Sequence, residues 1–223
     1  MREQNGHIAY RVSRRKIGEI MKKHDLISKY TLKRVNNKKS DVNNDDIENM
    51  VSRDFNDRGL LEVVVSDLTY VRICGLWHYI CLLLDLCGRK IIGFAVGRKK
   101  DSQLVKTAFY RVQADLREIN IFHTDRGGEF KNKVIEDILK AFGIKRSLSA
   151  KGTPIDNAVA ESMYNILKIE FVYGESFKDL DELELKLFDY VNWYNNVRIH
   201  GSLGYITPAE YEQNKLKSAN SFG

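Results

Sequence analysis

The order of strand-like and helical segments after residue 60 limits the possible folds of this chain more than any other feature. Three β-rich runs, Glu62–Ile73, Leu76–Leu86 and Lys90–Val96, follow one another with turn residues between them, which predicts an antiparallel meander. Amphipathic helices then alternate with two more short apolar runs, and a strand-helix-strand connection implies parallel pairing. The order β-β-β-α-β-α-β-α-α predicts an α/β fold with a mixed five-stranded sheet flanked by helices.

Two carboxylates lie in the stretch between residues 119 and 168. The run before Asp125 is short and mostly apolar, and a glycine turn follows it, so Asp125 is predicted at the carboxyl end of a buried strand. Thr153 followed by proline predicts the start of a helix. The helical spacing places Glu161 and Lys168 on one face of that helix.

A third carboxylate, Asp67, interrupts the first β-rich run, where a buried and unpaired charge would be costly. Each acid alone has an ordinary interpretation as a turn, cap or solvated residue, and the same suspicion attaches more weakly to Asp85. A mixed sheet can, however, bring Asp67, Asp125 and Glu161 together. Crowded carboxylates favour a bound cation such as Mg²⁺ or Mn²⁺, and two such ions suit phosphoryl transfer.

The positive charge of the chain is concentrated at its N-terminus. Residues 1–40 hold 12 Lys and Arg against 3 Asp and Glu, whereas the remainder holds 24 against 27. Ser13 can cap a helix that runs through His24. The basic side chains predicted to bind DNA phosphates there are Arg14, Arg15, Lys16, Lys22 and Lys23.

These patterns predict three parts of the chain. Residues 1–35 form a basic helical segment, either part of a DNA-binding helix-turn-helix unit or a helix that needs a partner. Residues 36–56, rich in Asn, Asp, Lys and Ser, form a linker, and residues 57–223 form the core domain with C-terminal helices. The cysteines lack metal-ligand spacing, and neither a membrane span nor a secretory signal is present, so a cytoplasmic protein without membrane partners is expected.

Several motifs together resemble the DDE transposases and retroviral integrases. The spacing of 35 residues between Asp125 and Glu161 agrees with that pattern. More specifically, the motifs resemble the integrase-core transposases of bacterial insertion sequences, of the type encoded by the second of two overlapping reading frames. The segments that carry the resemblance are Val65–Tyr70, His123–Gly128, Asp156–Ser162, Tyr194–Asn196, His200–Tyr205 and Thr207–Pro208.

The resemblance covers about residues 55–212 and implies a ribonuclease-H-like fold with a metal-bound triad of Asp67, Asp125 and Glu161. It also implies DNA cleavage and strand transfer at the ends of an insertion element. Lys168 matches the basic residue that the family places beside the triad to hold terminal DNA. Val64 is a departure, since these transposases commonly carry tryptophan there.

The implied partners are the terminal inverted repeats of the element, target DNA, further copies of this chain and the product of the first reading frame, at the bacterial nucleoid. Asn157, Arg198 and His200 are further candidates for DNA contact, and His123 either packs in its strand or orients the site. Two alternatives stay open. The chain is a decayed, non-catalytic DNA-binding remnant, or it is a hydrolytic nuclease of the same fold.

Overall fold

The computed structural model contains two compact units, Met1–Lys39 and Ser40–Gly223. In the first unit, helix α1 spans Arg14–Lys23, and the Ser13 hydroxyl caps it by accepting the N–H of Lys16 at 3.2 Å. No residue of α1 is buried. The rest of the predicted basic segment lies outside the described residues, which are 12–24, 26, 47–55, 58–150 and 153–220.

The second unit carries a five-stranded sheet and five helices within the described residues. The strands are β1 Val63–Ile73, β2 Leu76–Asp85, β3 Ile91–Gly97, β4 Ile121–Thr124 and β5 Lys145–Leu148. The helices are α2 Ser102–Tyr110, α3 Lys133–Phe142, α4 Ala158–Leu167, α5 Leu180–Asn196 and α6 Pro208–Asn220.

The strand order in the sheet is β3-β2-β1-β4-β5. The first three strands pair antiparallel, while β4 is parallel to both β1 and β5. The predicted mixed sheet is therefore confirmed. Strand β4 pairs with only the first part of β1, Val63–Val65, so the longer β1 continues beyond its neighbour.

Each face of the sheet carries an apolar core, as expected for helices on both sides of a sheet. Helices α4 and α5 cover one face, with Leu167, Leu183 and Leu187 fully buried in its core. Helices α2 and α3 contribute to the core on the other face. Val64 has no exposed surface within this second core, so the position packs without tryptophan.

The structure differs from the prediction at the edges of several elements. Residues 47–55, assigned to the linker, belong with the core unit, because Val51 is fully buried there and the Met50 N–H donates to Ser147 Oγ at 2.9 Å. Residues 36–46 and 56 of that linker lie outside the described residues. Phe142 is 37% exposed at the end of α3, although it follows the apolar spacing of that helix.

Helix α6 was not predicted, although its start carries a recognisable signal. Thr207 and Glu210 form a reciprocal capping box, in which the Thr207 N–H donates to Glu210 Oε2 at 2.9 Å and the Glu210 N–H donates to Thr207 Oγ1 at 3.1 Å. Proline at the next position fits the first turn. None of the helices in the described part of the chain has the length and apolarity needed to cross a membrane.

Candidate active site

Asp67 and Asp125 occupy matching positions on neighbouring parallel strands. The last paired residues of β1 and β4 are Val65 and His123, and each aspartate lies two residues farther along the chain. Since adjacent strands are about 4.8 Å apart and side chains alternate, this register places the two carboxylates side by side. They lie on the face shared with Val65, against which α4 packs.

The environment of this pair disfavours negative charge. Burial, together with the charge of Asp125, raises the pKa of the Asp67 carboxyl to about 7. Burial also raises the pKa of Asp125. Each carboxylate accepts one nearby backbone N–H: Leu68 donates to Asp67 at 2.7 Å, and Gly127 donates to Asp125 at 2.9 Å. Two crowded hard oxygen donors of this kind fit a divalent cation.

Lys100 and Glu129, which were not among the residues predicted for the site, lie beside the pair. Lys100 Nζ is 2.8 Å from Glu129 Oε1, and both side chains interact electrostatically with Asp67 and Asp125. Glu129 follows the glycine turn after β4 and is close in sequence to Asp125 at the end of that strand. This proximity of two acids could have identified Glu129 as a site residue from the sequence. Lys100 closes a basic run after β3 and carried no comparable signal.

Helix α4 is attached to the backbone of Asp67 through Tyr164. The Tyr164 hydroxyl donates to the Asp67 carbonyl and accepts the N–H of Leu82 at 2.7 Å. Tyr164 is buried, although helical spacing puts it on the same side of α4 as the exposed Glu161. Helix α4 itself begins at Ala158, after a 3₁₀ turn.

Glu161 lies on the exposed surface of α4, one helical turn before Tyr164. Across the described ranges of the chain, no three His, Cys, Asp or Glu side chains form a group that could hold a metal ion. The structure therefore brings Asp67 and Asp125 together but does not join Glu161 to them as a third ligand.

Lys168 follows α4 directly, at the start of a π-helical turn that spans Lys168–Val172. Its Nζ lies 5.0 Å from the centre of the Tyr70 ring. Burial lowers the pKa of its ammonium group, and the negative charge of Asp67 offsets only part of that shift. Lys168 is thus a cation near Asp67, and its role in holding terminal DNA stays a prediction.

Asn157 and His123 are buried near the start of α4. Asn157 is 5% exposed, and within the described residues its Oδ1 has no hydrogen-bond partner. His123 Nε2 donates to the Asp156 carbonyl at 3.1 Å, and its Nδ1 accepts from Ser147 Oγ at 2.8 Å. Burial lowers the pKa of His123 to about 4, so a neutral ring joins β4, β5 and the turn before α4.

Arg198 and His200 lie in a packed network. The Arg198 guanidinium forms charge-assisted hydrogen bonds of 2.8 to 3.0 Å with both carboxylate oxygens of Glu170. His200 is 6% exposed and stacks edge-on against Tyr194, with ring centroids 4.7 Å apart. This placement corresponds to a structural role, and DNA contact by the two residues stays a prediction.

The remaining predicted positions divide clearly by environment. The five basic residues of α1, Arg14, Arg15, Lys16, Lys22 and Lys23, are all exposed. Asp85 is buried and accepts the N–H of Leu61 at 3.0 Å and of Gly88 at 2.7 Å. Asp85 therefore organises the turn after β2, and the suspicion of a catalytic role was wrong.

The sheet order and the two aspartates define a ribonuclease-H-like core. Two family models, both described as integrase core domain, match residues 58–154 and 161–216, which together make up more than half of the chain. The chain belongs to the integrase-core family.

Bacterial relatives in this family are insertion-sequence transposases. The chain is 32% identical over 174 residues to transposase InsF for insertion sequence IS3A of Escherichia coli K12, covering 76% of this chain and 60% of the relative. It is 31% identical over 165 residues to the putative transposase InsK for IS150 of the same strain, covering 73% of this chain and 58% of the relative. The chain therefore spans about three fifths of the length of these relatives.

Viral structures share the fold at low sequence identity. A chain of the simian T-cell lymphotropic virus intasome, in complex with PP2A regulatory subunit B56 gamma, aligns with a TM-score of 0.54 and 14% identity over 64% of this chain and 52% of that one. The HTLV-2 integrase catalytic core domain in complex with magnesium aligns with a TM-score of 0.51 and 13% identity, covering 67% of this chain and 95% of that one. The catalytic core domain of BIV integrase aligns with a TM-score of 0.50 and 18% identity, covering 72% of this chain and 97% of that one.

Proposed function

We propose that this protein is a metal-dependent DNA transposase that cleaves and joins strands at the ends of an insertion element. The observation that carries the proposal is the pair of coupled, half-buried carboxylates, Asp67 and Asp125, at matching positions of β1 and β4. The transposase relatives and the integrase-core family support the same reaction class.

In this proposal Asp67 and Asp125 hold the divalent cation, and Glu161 completes the ligand set when DNA is bound. A bound divalent ion would supply Lewis-acid stabilisation of the charge that develops on the phosphate oxygens. We assign Mg²⁺, replaceable by Mn²⁺, in two sites. The magnesium-bound HTLV-2 integrase core, which shares the fold, supports the choice of metal.

The protein's own groups bind and orient the DNA. In this proposal Lys168 pairs with a phosphate of the terminal nucleotide, and the position of its ammonium beside Tyr70 and close to Asp67 supports this role. The hydrogen bond of Tyr164 to the Asp67 carbonyl holds α4 against β1. Glu161, one helical turn earlier on α4, is therefore kept within reach of the aspartate pair in this proposal. Asn157, whose Oδ1 has no hydrogen-bond partner among the described residues, is a further candidate for contact with DNA.

We propose a three-part organisation for DNA binding. Residues 1–35 belong to a helix-turn-helix unit that recognises the terminal inverted repeats, the linker lies within residues 36–46, and the catalytic core begins with the segment from residue 47. Synapsis of two element ends requires at least two copies of the chain, and the first-frame product is a proposed partner. Action on chromosomal DNA would place the protein at the nucleoid.

A strand-transfer assay on oligonucleotides that carry the inverted repeats flanking this gene tests the proposal. A joined product in the presence of Mg²⁺ is expected. Cleavage without joining would instead identify a hydrolytic nuclease. Absence of both reactions with retained DNA binding would identify a non-catalytic remnant, the alternative favoured by the separation of Glu161 from the aspartate pair.

Replacing Lys168 with alanine should weaken binding of element ends and strand transfer while leaving Mg²⁺ binding intact. A lysine ammonium can pair with phosphate but cannot ligate a cation. Loss of its contact with Tyr70 should lower the free energy of unfolding by only about 1 kcal/mol. Lys140→Ala, at an exposed position of α3, is the matched control. Equal end binding and joining in both variants would show that Lys168 has no role in DNA contact.

Replacing the five basic residues of α1 with glutamine should flatten the salt dependence of DNA binding. Each lost phosphate contact reduces the slope of log affinity against log salt by about 0.9. The measurement is a titration of fluorescent duplex DNA at several salt concentrations. Glutamine at Lys133 and Lys140, two exposed lysines of α3, should leave the slope unchanged. An unaltered slope in the α1 variant would contradict the proposed DNA-binding segment.

A further inference from the structure

Two aromatic rings with a cation at each end form a row along the hairpin of β1 and β2. Lys168 Nζ is 5.0 Å from the centre of the Tyr70 ring, and the Tyr70 ring packs edge-on against Trp77 with centroids 5.0 Å apart. Beyond Trp77, the Arg72 guanidinium carbon is 5.5 Å from the indole centre. These four residues, Lys168, Tyr70, Trp77 and Arg72, form what we call the aromatic row.

The register of the hairpin produces this row. Arg72 and Trp77 are directly paired across β1 and β2, so their side chains share one face of the sheet. Tyr70 lies on the same face, two residues before Arg72. The Arg72 Nε donates to the Gly75 carbonyl at 3.2 Å, which fixes the guanidinium over the indole.

The row is open to solvent at its outer end. Trp77 is 51% exposed and its neighbour Leu76 is 68% exposed. The other tryptophan, Trp193, is 40% exposed but packs against Tyr190, with ring centroids 5.8 Å apart. The indole of Trp77 is thus held in place by Tyr70 and Arg72 while about half of its surface stays available.

Lys168 connects the inner end of the row to the candidate active site. Its Nζ lies beside the Tyr70 ring and interacts electrostatically with Asp67, although alternation along β1 places Asp67 on the opposite face of the strand from Tyr70 and Arg72. Five residues of strand span roughly 17 Å, enough for several nucleotides. Strand β4 pairs with β1 only as far as Val65, and among the described residues no other strand covers this edge of β1 beyond that point.

We propose that the aromatic row binds an unpaired DNA strand that leaves the active site, with a base stacked on Trp77 and phosphates paired with Arg72 and Lys168. This inference rests on the proposed function for its substrate. Charge complementarity favours a nucleic acid, because two cations bracket two aromatic rings. Stacking on an exposed indole requires an unpaired base, and such stacking tolerates any base identity.

Two single-tryptophan variants of the full chain test the proposal without any catalysis. Trp193→Phe leaves Trp77 as the one remaining tryptophan, and Trp77→Phe leaves Trp193. Titration with a short oligothymidylate in EDTA should give saturable quenching of fluorescence in Trp193→Phe and little change in Trp77→Phe. The reverse pattern, or no quenching of Trp77 at saturating oligonucleotide, would overturn the proposal.

Affinity measurements provide the second arm. Trp77→Ala should weaken binding of the oligothymidylate roughly tenfold, and Trp77→Phe should recover part of that loss because phenylalanine still stacks. The matched control is Tyr110→Ala, which removes an aromatic ring that is 70% exposed and also lies beside a lysine, Lys106. Equal affinity of Trp77→Ala and the control would sink the inference.

Sedimentation of the same variants tests whether the surface is instead a contact between copies of the chain. If Trp77→Ala changes the oligomeric mass and leaves oligonucleotide affinity unchanged, the aromatic row is a protein interface and the proposal is wrong. Failure of the stacking assay alongside normal strand joining would remove this inference alone. Normal stacking without any strand joining would remove the transposase function and leave the nucleic-acid surface in place.

Discussion

Replacing Asp125 with asparagine will abolish both DNA nicking and strand joining while leaving the fold intact. The amide keeps the size of the side chain but removes a negatively charged ligand. If the carboxylate helps to hold the catalytic cation, the loss is several kcal/mol of stabilisation of the reaction, which corresponds to a rate about a thousandfold lower. Asp67→Asn should have the same effect, because the two carboxylates share one site.

The stability of these variants separates a catalytic role from a structural one. Burial and mutual repulsion disfavour the two charges in the folded protein. Asparagine at either position should therefore leave the melting temperature in EDTA unchanged or raise it. Wild-type protein should gain stability when Mg²⁺ is added, and the variants should lose that gain. A variant that melts much earlier in EDTA would point to a structural role.

Glu161→Gln tests the third proposed ligand separately. Its position on the exposed surface of α4 predicts a change in unfolding free energy of about 0.5 kcal/mol or less. Strand transfer should nevertheless be lost if Glu161 closes on the cation when DNA binds. Asp137→Asn, an exposed acid on α3, is the control for the loss of one negative charge. Retained joining in Glu161→Gln would restrict the metal site to the two aspartates.

The sequence predicted the sheet because hydrophobic periodicity is a local property. The three β-rich runs correspond to β1, β2 and β3, and no predicted bound differs from the observed one by more than one residue. The glycine stop of α3 was also visible in the sequence, since Gly143 adopts φ of 71° at the end of that helix. The first two acids of the predicted triad come together because strand position alone determines where they lie.

The parts that sequence analysis missed depend on contacts between distant segments. Helical spacing puts Tyr164 on the same side of α4 as the exposed Glu161. Its side chain is nevertheless buried, because its hydroxyl bonds to the backbone of β1 and β2. The ion pair between Lys100 and Glu129 joins residues from two different loops. Neither contact leaves a periodic trace in the sequence. Pairing of Arg198 with Glu170 is a further example, and it changes what Arg198 is expected to do.

Arg198→Met will destabilise the fold far more than it weakens binding of DNA. The side chains of Arg198 and Glu170 are only 16% and 14% exposed. Removing the guanidinium leaves a mostly buried carboxylate without its principal cation, and such a loss lowers the unfolding free energy by about 3 kcal/mol. Glu170→Met should cost a similar amount. Urea unfolding of each variant measures the change.

The double variant Glu170→Met with Arg198→Met gives the sharper result. Because it removes both charges and fills the space with apolar atoms, it should recover most of the lost stability, as replaced buried ion pairs commonly do. Tyr190 then loses an acceptor, since its hydroxyl donates to Glu170 at 3.1 Å, so recovery should fall short by about 1 kcal/mol.

An exposed pair of similar geometry supplies the control for Arg198. Arg117 donates to both oxygens of Asp115 at 2.8 to 3.1 Å, but the two side chains are 77% and 41% exposed. Water solvates whichever partner is left, so Arg117→Met should change the stability far less than Arg198→Met does. Binding of element-end DNA at low temperature, where all variants stay folded, then decides the role of Arg198. Normal stability of Arg198→Met with a large loss of DNA affinity would show that Arg198 acts on DNA, as the sequence motif suggested, rather than holding the segment after α4 in place.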